Sequence, residues 1–225
     1  TRVEVNTISA EMAKVRDYVP PYAVMAHRGS TFWAPEETES AWRWAREMGV
    51  DYLESDLQCT KDGVILANHD DNLKRTTNIE NVYSELVPAT RKAFYMRHGM
   101  SEAEAEKLVE ADKASFRPYY AMSYMYEELL ALDAGSWFNE TSIEQAREAF
   151  SEQHQYISAL EDQIRYAEGK MLKRDVNGER IYTVTGTWNP DKPRDCLTYK
   201  FEYVDDPQDT GHRPGVYIEF KESWL

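Results

Sequence analysis

The sequence predicts an α/β fold with a parallel sheet, organised as a (β/α)8 barrel of the TIM type. Two observations predict it. Short apolar runs alternate with amphipathic helical patterns, the order that yields parallel strands joined by crossover helices. A barrel of this type averages about 30 residues per unit and carries its chemistry at the C-terminal ends of its strands. The unusual polar residues of this chain all lie at such ends.

The first strand is expected at residues 22–26, a short apolar run ending at His27-Arg28-Gly29. A helix follows, with Ala41, Trp44, Ala45 and Met48 spaced as one buried face and Gly49 placed to stop it. Residues 51–57 read as the second strand and 64–68 as the third, separated by a Lys61-Asp62-Gly63 turn. After Thr77 the regularity lapses. Ser101 with Glu104 forms a capping box and opens a helix through roughly Asp112. An aromatic stretch (Tyr119, Tyr120, Tyr124, Tyr126) precedes a short segment at 127–132, and residues 132–138 read as a loop around Gly135.

Two further capping boxes are expected, Thr141 with Glu144 and Ser158 with Glu161. In the helix after the second, Leu160, Ile164, Ala167 and Met171 would keep one apolar face. Asn177-Gly178 is a hairpin turn between residues 173–176 and 180–188, and 197–204 is a further strand. Residues 216–220 resume the barrel pattern as a buried strand. The chain is therefore read as a single domain over 1–225, holding about the first four βα units. It carries a helical insertion near 79–125 and a β-hairpin insertion near 173–214.

The chain has 225 residues, 42% of them hydrophobic, enough for a sizeable core. A formal charge of −14 excludes nonspecific nucleic-acid binding, which needs a basic face to neutralise phosphates. No run of 18 apolar residues is present, so no transmembrane helix is expected. Cys59 and Cys196 do not make a disulfide framework. The chain opens on Thr1 without an initiator Met or an apolar signal segment, and the expectation for location leans slightly to export over the cytoplasm.

Glu54 and Asp56 are two apart on a strand, so both point to one face, while Leu53, Ser55 and Leu57 point to the covering helices. Two inward carboxylates need compensation, because burying isolated charge is costly. Either a hard divalent cation with oxygen ligands or an ion pair with an inward Arg or Lys supplies it. Glu219 and Lys221 repeat the alternation on the last strand, as part of the same site or as an ordinary half-exposed edge.

His27 and His69 each end a strand beside a polar neighbour, Arg28 or Asp70. A lone strand-end His is more often structural. Two of them converging with four charged residues point to acid–base chemistry, and Arg28 offers a fork matched to phosphate oxygens. By contrast His98, His154 and His212 read as solvated, Trp42 and Trp44 as packing, and the acidic stretch 102–110 as a solvated helix face. The four tyrosines read as packing of the insertion.

In order along the chain, His27-Arg28-Gly29, Pro35-Glu36-Glu37-Thr38, Glu54-Ser55-Asp56, Thr60-Lys61-Asp62-Gly63, His69-Asp70 and Arg75-Thr76-Thr77 resemble the signature of the glycerophosphodiester phosphodiesterase family. Residues 132–138 are similar to another family segment, and Glu219-Phe220-Lys221 looks like its later E-x-K strand. The resemblance implies hydrolysis of a glycerophosphodiester to glycerol 3-phosphate and an alcohol, with calcium or magnesium bound. It implies His27 and His69 as the acid–base pair, Arg28 and Lys221 as phosphate ligands, and Glu54, Asp56 and Glu219 as metal ligands.

The chain departs from the family at Glu37, where Asn is usual, in its two long insertions, and in stopping after what resembles the fourth strand. Four units cannot close an eight-stranded barrel, so roughly four further units or a self-associating partner are expected to complete it. Two other functions compete. One is a phospholipase C- or D-like enzyme of the same fold, which would expose apolar residues at the barrel mouth. The other is a noncatalytic phosphoester-binding module, which would need no acid–base pair.

Overall fold

The structure, a computed structural model, describes residues 22–152 and 154–221; residues 1–21 and 222–225 of the expected domain lie outside them. The first strand, β1, is Met25–His27, a little later than the apolar run 22–26 suggests. Helix α1 (Glu39–Glu47) leads to the long strand β2 (Tyr52–Cys59), on which the rest of the sheet is built. β1 runs parallel to β2 at Tyr52–Glu54. Beyond the end of β1, on the same edge, the short strand β3 (Ile65–Ala67) pairs antiparallel with Leu57–Cys59.

Three short or medium helices follow: α2 (Ile79–Val82), α3 (Arg91–Arg97) and α4 (Glu102–Ser115). Then come α5 (Tyr126–Leu129), α6 (Ser136–Thr141) and α7 (Leu160–Ala167). The β-rich excursion nests two antiparallel ladders. β4 (Lys170–Leu172) pairs with β7 (Tyr203–Asp205), and β5 (Tyr182–Gly186) pairs with β6 (Leu197–Phe201). Last, β8 (Gly215–Phe220) returns parallel to β2 along its other edge, from Tyr52 to Leu57.

Of the four strands expected as barrel units, three run parallel: β1, β2 and β8. The fourth, β3, is the return arm of a hairpin. The chain between β2 and β3 is only a tight turn, with Thr60 N–H bonded to Val64 O and Gly63 N–H to Thr60 O. A parallel return needs a crossover of a dozen or more residues, and five cannot make one.

Helices α1 and α7 cover one face of β2. Leu53 is fully buried there among Trp42, Ala45, Tyr166 and Ala167. Ser55 Oγ donates to Gln163 Oε1 at 2.7 Å, and Gln163 Nε2 donates to Leu53 O at 3.0 Å. The expected outward direction of Leu53 and Ser55 is what the structure has.

Both helices, however, bury a different stripe from the one their apolar spacing suggests. In α1 the buried residues are Glu39, Ala41, Trp42, Ala45 and Arg46, while Met48 is exposed. The cause is Asp206. Its carboxylate accepts from Arg46 Nη2 at 2.6 Å and from Arg43 Nε and Nη2 at 2.6 and 2.7 Å, and Arg46 Nη1 donates to Tyr166 O. In α7 the buried stripe is Asp162, Gln163, Tyr166 and Ala167, with Ile164 exposed and Met171 already in β4. Asp162 pairs with the buried Arg180, accepts from Tyr203 OH at 2.6 Å, and caps the helix by accepting from Ala159 N at 2.7 Å.

The cap of α7 is thus Ala159 with Asp162, one residue beyond the expected Ser158 with Glu161. The expected Thr141–Glu144 box is absent, because Thr141 is the last residue of α6 and its hydroxyl donates back to Trp137 O. The Ser101–Glu104 box is present, and α4 keeps its acidic face in solvent apart from Asp112. Asp112 and Glu128 clamp the fully buried Arg91, joining α3, α4 and α5. Tyr119, Tyr124 and Tyr126 pack in the core, as expected.

His98 is a correction: it is buried against Phe94 rather than solvated. His212 is half-buried and hydrogen-bonded to Val50 O, while His154 is exposed. The Asn177-Gly178 turn forms, with Arg174 bridged to Arg180 and the Asp175 carboxylate accepting from the amides of Asn177 and Glu179. The expected strand over 197–204 is divided at Glu202, whose amide donates to Ile181 O on the β5 side and whose carbonyl accepts from the Lys173 amide on the β4 side. Both cysteines are free.

Removing one partner of a buried ion pair leaves the other charge uncompensated, at a cost of about 3–5 kcal/mol. Asp206→Ala removes the bonds to Arg43 and one to Arg46, while Arg46 keeps Glu47 Oε1 at 2.6 Å from its Nε. The expected loss of unfolding free energy in urea titrations is therefore at the low end, about 3 kcal/mol, and a loss below ~1 kcal/mol would show that Asp206 is not the anchor. Burial alone would raise the Asp206 carboxyl, but the hydrogen bonds from Arg43, the Gln208 amide and Arg46 outweigh it and hold it below the usual range. Its contribution to stability is present above the ordinary carboxylate range and is lost as pH falls through the folded value. The acid-side loss of stability should therefore shrink in the variant.

Candidate active site

Glu54 and Asp56 occupy the face of β2 opposite α1 and α7, and both are buried. The parallel register does the assembly. His27 at the end of β1 lies beside Glu54, and Glu219 on β8 lies beside Asp56. One ligand oxygen from each of Glu54, Asp56 and Glu219 lies within 4.8 Å of the others. Lys221, two residues beyond Glu219, brings its Nζ to 2.9 Å from Asp56 Oδ1 and 2.6 Å from Glu219 Oε1.

The loop after β1 supplies the next groups. Arg28 and Gly29 are both left-handed, with φ of +56° and +88°. Glycine is required at 29 for a second reason: a Cβ there would lie 2.7 Å from the Ala41 Cβ, so only glycine lets the loop close onto α1. A non-glycine residue at positive φ costs about 1–3 kcal/mol and needs surrounding bonds to hold it. Arg28 has them. Its amide donates to Glu54 Oε2 at 2.9 Å, and its carbonyl accepts from the Glu37 amide at 2.9 Å. Its Nε lies 3.0 Å from Asp56 Oδ2.

Glu37, also at positive φ, completes the sheet where β1 has already ended. Its Oε1 accepts from the Asp56 amide at 2.8 Å, while the Asp56 carbonyl takes the Asn68 amide at 2.9 Å. The two backbone groups of Asp56 on that edge are therefore satisfied by a side chain and by the approach to β3. Burial pushes the Glu37 carboxyl well above the usual carboxylate range, and the Asp56 and Glu36 charges push it the same way. Its Oε2 is buried without a partner.

His69 follows β3, and its ring is about one-third exposed. Its Nδ1 lies 2.6 Å from Asp70 Oδ1. Burial would raise the Asp70 carboxyl, but the hydrogen bonds from Arg75 and His69 hold it below the usual range. An ionised carboxylate only accepts, so the ring proton sits on Nδ1 and Nε2 carries the lone pair. Asp70 Oδ2 in turn accepts from Arg75 Nε at 2.6 Å. A polar cavity of about 520 Å³ runs from His69, Asp70 and Arg75 to Lys221.

Of the seven residues singled out from the sequence, His27 ends β1, Arg28 and Lys221 directly follow β1 and β8, and His69 follows β3, whereas Glu54 and Asp56 lie within β2 and Glu219 within β8 rather than at strand ends. Sequence reasoning assigned no role to Glu36, Glu37, Asn68, Asp70 and Arg75 in this site. All but Asn68 stood inside recognised motifs, which was the available signal.

Of the two compensations considered for the inward carboxylates, the ion pair is the one seen directly. Arg28 and Lys221 flank Asp56, yet neither Asp56 oxygen makes a hydrogen bond despite being buried. Three carboxylates against two cations leave negative charge over, and the donors are all hard oxygens. This cluster can hold a divalent cation.

A sequence profile of the Glycerophosphoryl diester phosphodiesterase family matches residues 27–208. Among curated proteins, the chain is similar to a glycerophosphodiester phosphodiesterase of Bacillus subtilis, at 32% identity over 55% of this chain and 29% of that one. It is also similar to one of Caldanaerobacter subterraneus, at 47% identity over 25% of this chain and 24% of that one. The chain thus spans less than a third of the curated relatives it matches. A phosphodiesterase structure from Oleispira antarctica aligns at 24% identity, with a TM-score of 0.41 over 67% of this chain and 41% of that one; so partial a likeness adds nothing to the site. The profile match begins at His27 and passes through Glu54, Asp56 and His69, whereas Glu219 and Lys221 lie beyond it and join the site through the register of β8. With most of its length matched in this way, the chain belongs to the glycerophosphoryl diester phosphodiesterase family.

Proposed function

We propose that the protein hydrolyses glycerophosphodiesters to glycerol 3-phosphate and an alcohol, using a bound divalent cation, calcium or magnesium. The observation that carries this reading is the convergence of three carboxylates within 4.8 Å, flanked by Arg28 and Lys221, with His69 oriented by an ionised Asp70. Glu54, Asp56 and Glu219 would hold the cation, which when bound offsets charge on the phosphate oxygens. Arg28 and Lys221 bind the remaining phosphate oxygens. One of His27 and His69 takes the proton of the attacking oxygen, and the other protonates the departing alcohol oxygen.

The three parallel strands form the opening staves of a (β/α)8 barrel in this reading. Its remaining strands would come from further chain outside these 225 residues, or from a second copy. Support comes from the unpaired outer edge of β8 among the described residues, where Tyr217 and Phe220 stand exposed. A second reading, an enzyme acting on intact lipid headgroups, is favoured by one feature. Phe32 and Trp33, at the tip of the loop that carries Arg28, are 64% and 40% exposed. A substrate panel containing soluble glycerophosphodiesters and lysophospholipid micelles separates the two.

His27→Ala and His69→Ala are each expected to cut kcat of the full-length protein by about 10²–10⁴-fold with a much smaller change in KM. Wild-type turnover in both variants would remove the acid–base assignment. Chelation should abolish activity, and added calcium or magnesium should restore it to the wild type but not to Glu54→Gln. Full activity in excess chelator would refute the metal role.

A further inference from the structure

Two loops meet at the mouth of this site. One, following β1, carries Arg28 and Glu36; the other, following β3, carries His69, Asp70 and Arg75. Arg75 joins them. Its Nη1 and Nη2 donate to Glu36 Oε2 and Oε1 at 2.9 and 2.7 Å, and its Nε donates to Asp70 Oδ2 at 2.6 Å. The same Glu36 Oε1 accepts from Arg28 Nη1 at 3.4 Å. A continuous chain of charge-assisted bonds therefore runs from the His69 ring through Asp70, Arg75 and Glu36 to Arg28, which lies against Asp56.

Stability does not account for this chain. Arg75 is 43% exposed, and partly exposed ion pairs contribute about 0–1 kcal/mol. Specific geometry does. A guanidinium is a rigid plane that engages one carboxylate with two parallel bonds and a second carboxylate through Nε. A lysine ammonium in the same place would satisfy one partner and leave the other to turn. Each carboxylate in turn has a second oxygen or lone pair committed to a functional group: Asp70 to the His69 ring, Glu36 to Arg28.

We propose that Arg75 is a positioning residue that ties the orientation of the imidazole of His69 to that of the guanidinium of Arg28, acting through Asp70 and Glu36. This deepens the phosphodiesterase reading and rests on it for the role of His69 in turnover. Arg75 reaches the His69 ring through Asp70 and reaches Arg28 through Glu36. The effect is geometric: these bonds hold the proton-transfer nitrogen and the phosphate fork in one fixed relation, where misplacement by about 1 Å costs on the order of 10²-fold in rate.

The test uses the full-length protein with sn-glycero-3-phosphocholine as substrate. Arg75→Lys and Glu36→Gln should each lower kcat by about 10–100-fold, with thermal midpoints close to wild type. Asp70→Asn should do the same, and the Glu36→Gln/Asp70→Asn double variant should fall little below the worse single one, because both act through one fork. The second readout does not need turnover. The Nδ1–H proton of His69 should give a downfield NMR signal in the wild type that weakens in Glu36→Gln, although Glu36 does not touch the ring. Losses in the double variant that multiply, or a His69 signal and kcat both unchanged in Glu36→Gln, would overturn the proposal. A wild type without phosphodiesterase activity whose His69 signal still answers to Glu36→Gln would instead overturn the functional reading and leave the positioning role standing.

Discussion

Two carboxylates on one face of a central strand set the terms for the rest of this structure. Asp56 is 1% exposed, and a bare charge at that depth is unstable without close opposite charge. Every neighbouring element is arranged to answer it. β1 ends at His27 so that the Arg28 loop can swing its guanidinium over the strand, and β8 runs in register so that Lys221 arrives from the other side. The positive φ at Arg28 and Glu37 is the backbone's concession to the same demand, since each is held there by bonds to Glu54 or Asp56.

The opposite face of β2 shows how polar anchors govern packing. Apolar area decides that α1 and α7 lie on the sheet, but it does not decide their rotation about their own axes. That rotation follows from a few buried polar contacts: Arg46 on Asp206, Asp162 on Arg180, and Gln163 on Ser55 and Leu53. A buried polar group left without its partner costs more than a methyl or two of misplaced apolar surface. The helices therefore turn until these bonds are made, even with Ile164 and Met48 in solvent.

This division also shapes the site. The strands provide rigid positions for the carboxylates, and the two loops provide the groups whose orientation matters most. The loops are joined by short charge-assisted bonds from Arg75 to Glu36 on one side and to Asp70 on the other. Glu37, standing where the resembling family usually has Asn, uses its extra length to reach the Asp56 amide and finish an edge that β1 leaves open.

By itself the sequence determined the order of elements in the α/β fold, the shared face of Glu54 and Asp56, and the strand-end placing of His27, Arg28 and His69. These are local properties: a period of two, a turn residue, a short ordered motif. Only the tertiary structure decided the rest. It made β3 a hairpin arm, chose the buried stripes of α1 and α7, shifted the cap of α7 to Asp162, and buried His98. It also brought Glu36 to Arg75 and Glu219 to Asp56. In most of these cases the deciding partner lies far along the chain: Asp206 is 160 residues from Arg46, and Gln163 is 108 from Ser55. Apolar periodicity carries the spacing of a helix face but not its phase when the bonds that set the phase come from so far away.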